Sequence, residues 1–196
     1  MRTIIRLLFL ALIGLELLAW ADIVPLPDPT FTWFGLVGTA AAAWIFLEVA
    51  RLPRWLEAVV FGDVVLDAAS DIYRLYERWA PSYPWDRLMH LIGGAIVALC
   101  AFEILRRFLE RGWIASPRPD LLLAVGAFLF SGFAGFLYEL WEFITDVVYT
   151  KKSLALGDGR DTVDDLILNL AGAAVVLFMR VLSSRAARHQ APGTRN

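Results

Sequence analysis

Charge is scarce in this chain. Asp, Glu, Lys and Arg make up 19% of its 196 residues, where a soluble domain carries about 25%. The formal net charge is −2, and no basic stripe or aromatic–arginine platform lies outside the helix ends, which argues against a nucleic-acid partner. One cysteine, Cys100, excludes an intramolecular disulfide and leaves the redox compartment open. Catalytic signatures are missing too: there is no nucleophile elbow, phosphate loop or His-Glu-x-x-His zinc motif. Internal repeats and low-complexity segments are absent.

What fills the chain instead is apolar. Hydrophobic residues reach 59%, with eight Trp and thirteen Phe, against about 45–50% in a soluble domain. They cluster in long runs: Leu121 to Tyr138 and Phe31 to Leu47 contain no charge at all. A hydrocarbon core about 30 Å thick takes roughly 20 helical residues to cross. The expected fold is therefore an all-α, polytopic transmembrane bundle. Spans are predicted near 4–21, 33–51, 55–72, 87–109, 121–146 and 162–182, forming one transmembrane domain, with 183–196 as a basic, disordered cytoplasmic tail. Met1 to Ala21 reads as a retained first span, because Trp20-Ala21-Asp22 is a poor cleavage site for a signal peptide.

The third span carries Asp63 and Asp67, each costing about 2.5–3.5 kcal/mol at mid-membrane. Topology supports keeping it. With six spans and both termini cytoplasmic, twelve of the eighteen basic residues fall inside: Arg2, Arg6, Arg51, Arg54, Arg106, Arg107, Arg111, Arg118, Arg180, Arg185, Arg188 and Arg195. Omitting the third span leaves ten inside and eight outside, a weaker match to the positive-inside rule. Asp22 to Thr30, with three prolines, reads as an outer loop, and Ser116-Pro117-Arg118-Pro119 as a break before the fifth span.

On this topology the polar residues converge. Asp63, Asp67 and Asp71 form an i, i+4, i+8 stripe near the outer end of the third span. Asp86 and His90 share a face at the outer start of the fourth. Glu139, Glu142 and Asp146 share one at the outer end of the fifth, and Asp161, Asp165 and Asn169 one at the start of the sixth. Ionisable groups at membrane depth normally face a bundle interior and are paired or bound. So many acids together imply either protons or a cation among them. The oxygen-rich set with one imidazole suits Mg²⁺, Mn²⁺ or Ca²⁺, with Zn²⁺ or iron reachable through His90. The candidate cluster is Asp86, His90, Glu139, Glu142, Asp146, Asp161, Asp165 and Asn169, with Asp67 and Asp71 secondary. No catalytic residue is assigned.

Other polar residues carry structural readings. Asp161 suits an N-cap of the sixth helix, with Asp164 at the N3 position of its first turn. Glu103 and Arg107 form an i, i+4 pair. Ala127, Ser131 and Gly135 make a small-residue stripe for close helix packing. Gly157-Asp158-Gly159-Arg160-Asp161 lacks the spaced acids of an EF-hand and reads as a turn.

Tyr83-Pro84-Trp85-Asp86-Arg87-Leu88-Met89-His90 followed by Gly93-Gly94 resembles the opening motif of the YjdF-type bacterial inner-membrane family. Tyr138-Glu139-Leu140-Trp141-Glu142-Phe143, Asp146, Asp161-Thr162, Asp165-Leu166, Asn169 and Gly172-Ala173 match that family's later helices in order. The segment Gly159-Arg160 through Gly172 is also similar to the closing helix of VanZ-like proteins. The resemblance covers roughly 70–175. Asn169 stands where some relatives carry another acid. The resemblance implies a multi-pass protein of the bacterial inner (plasma) membrane and implies no particular activity.

Three functions compete. The leading one is an outward-facing metal site acting on a lipid or lipid-linked envelope intermediate, with a carboxylate as general base toward water. The second is an ion- or proton-coupled transporter using the same acids. The third is a non-catalytic scaffold in which the cluster only locks helices. The inner halves of the spans are dry, which suits one-sided access better than transport. Whether the chain is an enzyme stays open at this level.

Overall fold

The computed structural model describes residues 2–21, 23–24, 37–73, 75, 84–145, 147 and 159–190; for Trp20, Asp71, Ile72, Gly159 and 184–190 only the backbone is described. These residues form six helices and no strand: α1 (Arg2–Trp20), α2 (Gly38–Ala50), α3 (Arg54–Ile72), α4 (Pro84–Glu110), α5 (Pro119–Ile144) and α6 (Gly159–Gln190). The all-helical expectation holds. The chain divides into two compact units, 1–89 and 90–196, with the division falling inside α4.

Three helices are each long and apolar enough to cross a membrane: Pro84–Glu110, Pro119–Ile144 and Arg160–Ser183. Their outward faces are apolar, as lipid contact requires: Leu129, Phe133 and Phe136 on α5 and Ile167 and Phe178 on α6 are each more than half exposed. A soluble protein would not leave so continuous an apolar band in water. The shorter apolar helix α2 is 13 residues, about 20 Å at 1.5 Å per residue. Its predicted span started at 33, and 33–36 lie outside the described residues.

In unit 1, α1, α2 and α3 each pack against the other two. Ile5, Phe9 and Ala19 of α1, Ala40 and Leu47 of α2, and Leu56, Val60, Val64 and Ala68 of α3 are buried. Phe9 meets Phe61 edge-on at 4.8 Å. A tight elbow joins α2 to α3: Arg51 adopts the left-handed conformation (φ 49°, ψ 47°) and donates its N–H to Leu47 O. Arg2 braces that elbow, donating to Leu52 O at 2.8 Å and pairing with Glu57. Arg6 pairs with Glu48. The first turn of α4 reaches α3, where Trp85 Nε1 donates to the buried Ser70 Oγ at 2.7 Å.

Unit 2 contains the rest of α4 with α5 and α6. Its core is small: Ala98 and Ala101 of α4, Ala127 of α5, and Ala173 and Leu177 of α6, flanked by Phe102, Phe128 and Val176. Small residues let helices approach closely, which drives association where burial from water cannot. A Schellman motif closes α4. Gly112 (φ 70°) donates to Leu109 O and Trp113 to Phe108 O, and the Trp113 ring packs on Phe108 at 5.1 Å. The Glu103–Arg107 pair forms at 3.3 Å, joined by Arg106 at 2.7 Å.

Two boundaries differ from the sequence reading. Helix α6 begins at Gly159, so Asp161 lies inside the first turn rather than at the cap, still favoured by the positive end of the helix dipole. The same helix runs to Gln190, into the segment read as disordered. Ser183 to Gln190 holds Ala and Arg at several positions and no Gly or Pro, so nothing stops the helix before Pro192.

Candidate functional site: a buried histidine among carboxylates

Everything in this site follows from how close three helices come. On α4, a Cβ added to Gly94 would lie 2.1 Å from Asn169 O of α6. On α6, a Cβ added to Gly172 would lie 1.9 Å from Leu91 O of α4. The two backbones therefore touch, one glycine from each side. Helix α5 closes the third side. Its buried Ser131 Oγ donates to Gly94 O at 2.9 Å, and Gly135 leaves space in which the Asn169 amide sits, 2.8 Å from where a Cβ would stand. The predicted small-residue stripe Ala127, Ser131 and Gly135 is buried along its length.

One turn before Gly94 on α4 comes His90, almost fully buried. The nitrogen Nε2 lies 3.7 Å from Asp165 Oδ2 and 4.0 Å from Glu139 Oε1, both on buried side chains. On the other side of the ring, Nδ1 lies 3.2 Å from Asn169 Nδ2. The Tyr138 ring meets the imidazole edge-on at 5.9 Å. Asp86, one turn earlier on the same continuous helix, completes a group: one ligand atom each from Asp86, His90 and Asp165 lies within 4.8 Å of the others. Two ligands on opposite sides of an ion, with bonds of about 2.0–2.4 Å, stand about 4–5 Å apart, so this spacing fits a hard divalent cation.

Asn169 determines what His90 offers. With the amide nitrogen donating to Nδ1, a neutral ring carries its proton on Nε2, pointed at the carboxylates. With the amide turned over, Nδ1–H donates to the Asn169 oxygen and the Nε2 lone pair faces Asp165 and Glu139, ready for a cation. An amide serves both states because it holds a donor and an acceptor on one carbon. A carboxylate there would serve only the second.

The structure thus brings Asp86, His90, Glu139, Asp165 and Asn169 together. Glu142 and Asp161 lie about one turn from Glu139 and Asp165 and are half-buried. Asp146 and the Asp71 side chain fall outside the described residues. Asp67 belongs to unit 1, where it lies within electrostatic reach of Asp63 and Glu16. Glu16 escaped the sequence reading, although an acid inside the apolar run of the first span was a signal that could have found it. The partnership of Gly94 and Gly172 with Asn169 and Leu91 was also missed, since a glycine pair in a helix does not announce which backbone it meets.

Comparison with known proteins agrees with this architecture. A family model described as a predicted membrane protein, DUF2238, matches residues 5–185. An uncharacterized protein of Thermotoga maritima is 33% identical over 140 residues, 71% of this chain and 68% of the relative. No solved structure matches.

Proposed function

The chain belongs to the DUF2238 family of predicted membrane proteins, and on that premise we propose that the cluster around His90 binds a divalent cation and acts on a lipid or lipid-linked envelope intermediate in the bacterial inner membrane. The observation that carries this reading is the buried imidazole set between Asp165 and Glu139, with Asp86 inside coordination range. Ionised acids this deep would repel one another, and an ion shared among them relieves that cost. Glu142 and Asp161, half-buried one turn away, are the carboxylates placed to take a proton from a bound water. The reading includes six spans with both termini cytoplasmic, one transmembrane domain to about residue 182, and YjdF-type and VanZ-like kinship.

A second reading has its own support. The contacts of Asn169 with His90, and of Ser131 with Gly94, tie helices together whether or not an ion binds, as a scaffold would require. One experiment separates the two. Elemental analysis of detergent-purified wild type should find about one divalent ion per chain, absent from His90→Ala and Asp165→Asn. Melting temperature should rise with millimolar Mg²⁺, Mn²⁺, Ca²⁺ or Zn²⁺ in wild type alone, because a ligand held only by the folded form stabilises it, by about 4 kcal/mol at a thousandfold excess over Kd. A wild type that carries no ion and melts identically with EDTA and with each metal leaves the scaffold.

A further inference from the structure

Unit 1 contains a second buried acidic group, made of different residues from the site above. Glu16 is 1% exposed and neither of its carboxylate oxygens has a hydrogen-bond partner. It occupies the face of α1 that holds Ile5, Phe9 and Ala19, all buried against the neighbouring helices. The charge it meets there is Asp67 of α3, and Asp67 acts on Asp63 in turn. Asp63, one turn before Asp67, also keeps a buried oxygen with no hydrogen-bond partner. Glu16 and Asp63 thus hold buried, unpartnered carboxylate oxygens on two packed helices, with Asp67 within electrostatic reach of each.

Two cations of the unit, Arg2 and Arg6, are held away from these acids. On α1, Arg2 is held by Glu57 and Leu52 O, and Arg6 by Glu48 of α2. Arg6 lies ten residues before Glu16, about 15 Å along the helix. Arg54 and Glu57 stand at that same far end of α3, and Arg51 in the elbow before it. Beyond Asp67, α3 carries Asp71, and the first turn of α4, which meets α3 at Ser70, carries Asp86 and Arg87. An ionised carboxylate with no hydrogen bond is among the most costly groups to bury, and its neutral form is far cheaper. A multidentate metal is the poorer answer here: among the described residues the three acids do not gather within 4.8 Å as Asp86, His90 and Asp165 do.

We propose that Glu16, with Asp67 and Asp63 on the facing helix, forms a proton-binding site that loads and releases an exchangeable proton. Loaded, the proton removes the buried charge of Glu16 and with it the repulsion between Glu16 and Asp67. Unloaded, like charges push α1 from α3, so proton release is coupled to the packing of these two helices.

Dicyclohexylcarbodiimide, which modifies protonated carboxyl groups in apolar surroundings, provides the test on the intact full-length protein in detergent. Peptide mass mapping should place the adduct on Glu16 or one of its two partners at pH 6. Labelling should fall about tenfold per pH unit above the site's transition. Glu16→Gln imitates the loaded form. It should melt no lower than wild type at pH 6 and increasingly above it as pH rises, because only wild type then carries the added buried charge. A folded protein with none of the three acids modified at any pH would overturn the proposal. So would a Glu16→Gln protein that melts as far below wild type as Glu16→Ala. Protection from labelling by millimolar Mg²⁺ or Ca²⁺ at neutral pH would show a metal site instead, and also overturn it.

Discussion

In unit 1 a fully buried acid lies within reach of another acid and meets no hydrogen-bond donor; in unit 2 a buried imidazole stands between acids, with an amide holding its far nitrogen. The packing differs in parallel. Around Glu16 the helices meet through ordinary side chains such as Phe9 and Phe61, and added Cβ atoms at Gly14 and Gly62 would meet nothing within 4 Å. Around His90 the backbones of α4 and α6 touch. The contrast teaches where tolerance to change should lie. A site whose geometry rests on backbone contact is rigid and fails when the contact is blocked. A site made of side chains facing across ordinary packing can respond to protonation by small shifts.

The strongest way to break the comparison is at the glycines. Gly172→Ala places a methyl group 1.9 Å from Leu91 O and 3.1 Å from Ala95 N. Neither backbone atom can swing away, so the helices must separate and take Asn169 from His90. Overpacking costs about 1–3 kcal/mol and sometimes more, and this substitution should reach the upper end, with loss of the ion-dependent rise in melting temperature. Gly62→Ala is the matched change in unit 1. With open space around it and better helix propensity, it should be neutral or stabilising by up to about 1 kcal/mol. Thermal melts of the two purified variants check both, and equal effects would erase the distinction between the units.

A finer test changes charge and keeps shape. Asn169→Asp leaves Nδ1 of His90 facing an acceptor, so the ring proton must move to Nδ1. The Nε2 lone pair then faces Glu139 and Asp165. Without an ion this should cost about 1–3 kcal/mol, the usual penalty of an unmatched buried polar group. With a divalent ion much of it should return, because the lone pair now has a partner. The expected result is a melting temperature below wild type in EDTA and a larger rise on adding metal. Equal melting in both conditions would reduce the amide to a spacer.

How much of this was legible beforehand differs by level. Charge-free runs such as Leu121 to Tyr138 specify a helix of membrane length, because only a helix satisfies its own backbone in lipid. Helix faces were legible as well: the i, i+4 spacing of Asp86 with His90, and of Asp165 with Asn169, does put each pair on one side. Depth along the neighbour was not. Glu139 rather than Glu142 faces His90 because of the axial offset between α5 and α4, which sets Ser131 opposite Gly94 and which no periodicity encodes. Glu16 was lost for a different reason. A single acid in an apolar run has no spacing to reveal, and its importance arises only when Asp67 of another helix comes opposite.

The smallest effect sharpens the claim that backbone contact, and not hydrogen bonding, holds the carboxy-terminal site. Ser131 Oγ donates to Gly94 O in full burial, the sort of polar tie expected to matter in an apolar bundle. Interhelical hydrogen bonds in membranes nevertheless average only about 0.6 kcal/mol, since the competing state also finds partners. Removing this donor leaves a carbonyl already engaged within its helix, so no group is stranded. Ser131→Ala should therefore lower stability by only about 0.6 kcal/mol and keep the ion-dependent shift intact, while the methyl side chain preserves the close approach of α5. Ser131→Val should cost more despite making no hydrogen bond either, because its extra carbons press on the touching backbones. Melting temperatures of the pair, each with and without metal, decide the matter: a Ser131→Ala protein as damaged as Ser131→Val would mean that the hydrogen bond holds the helices and the glycines merely permit it.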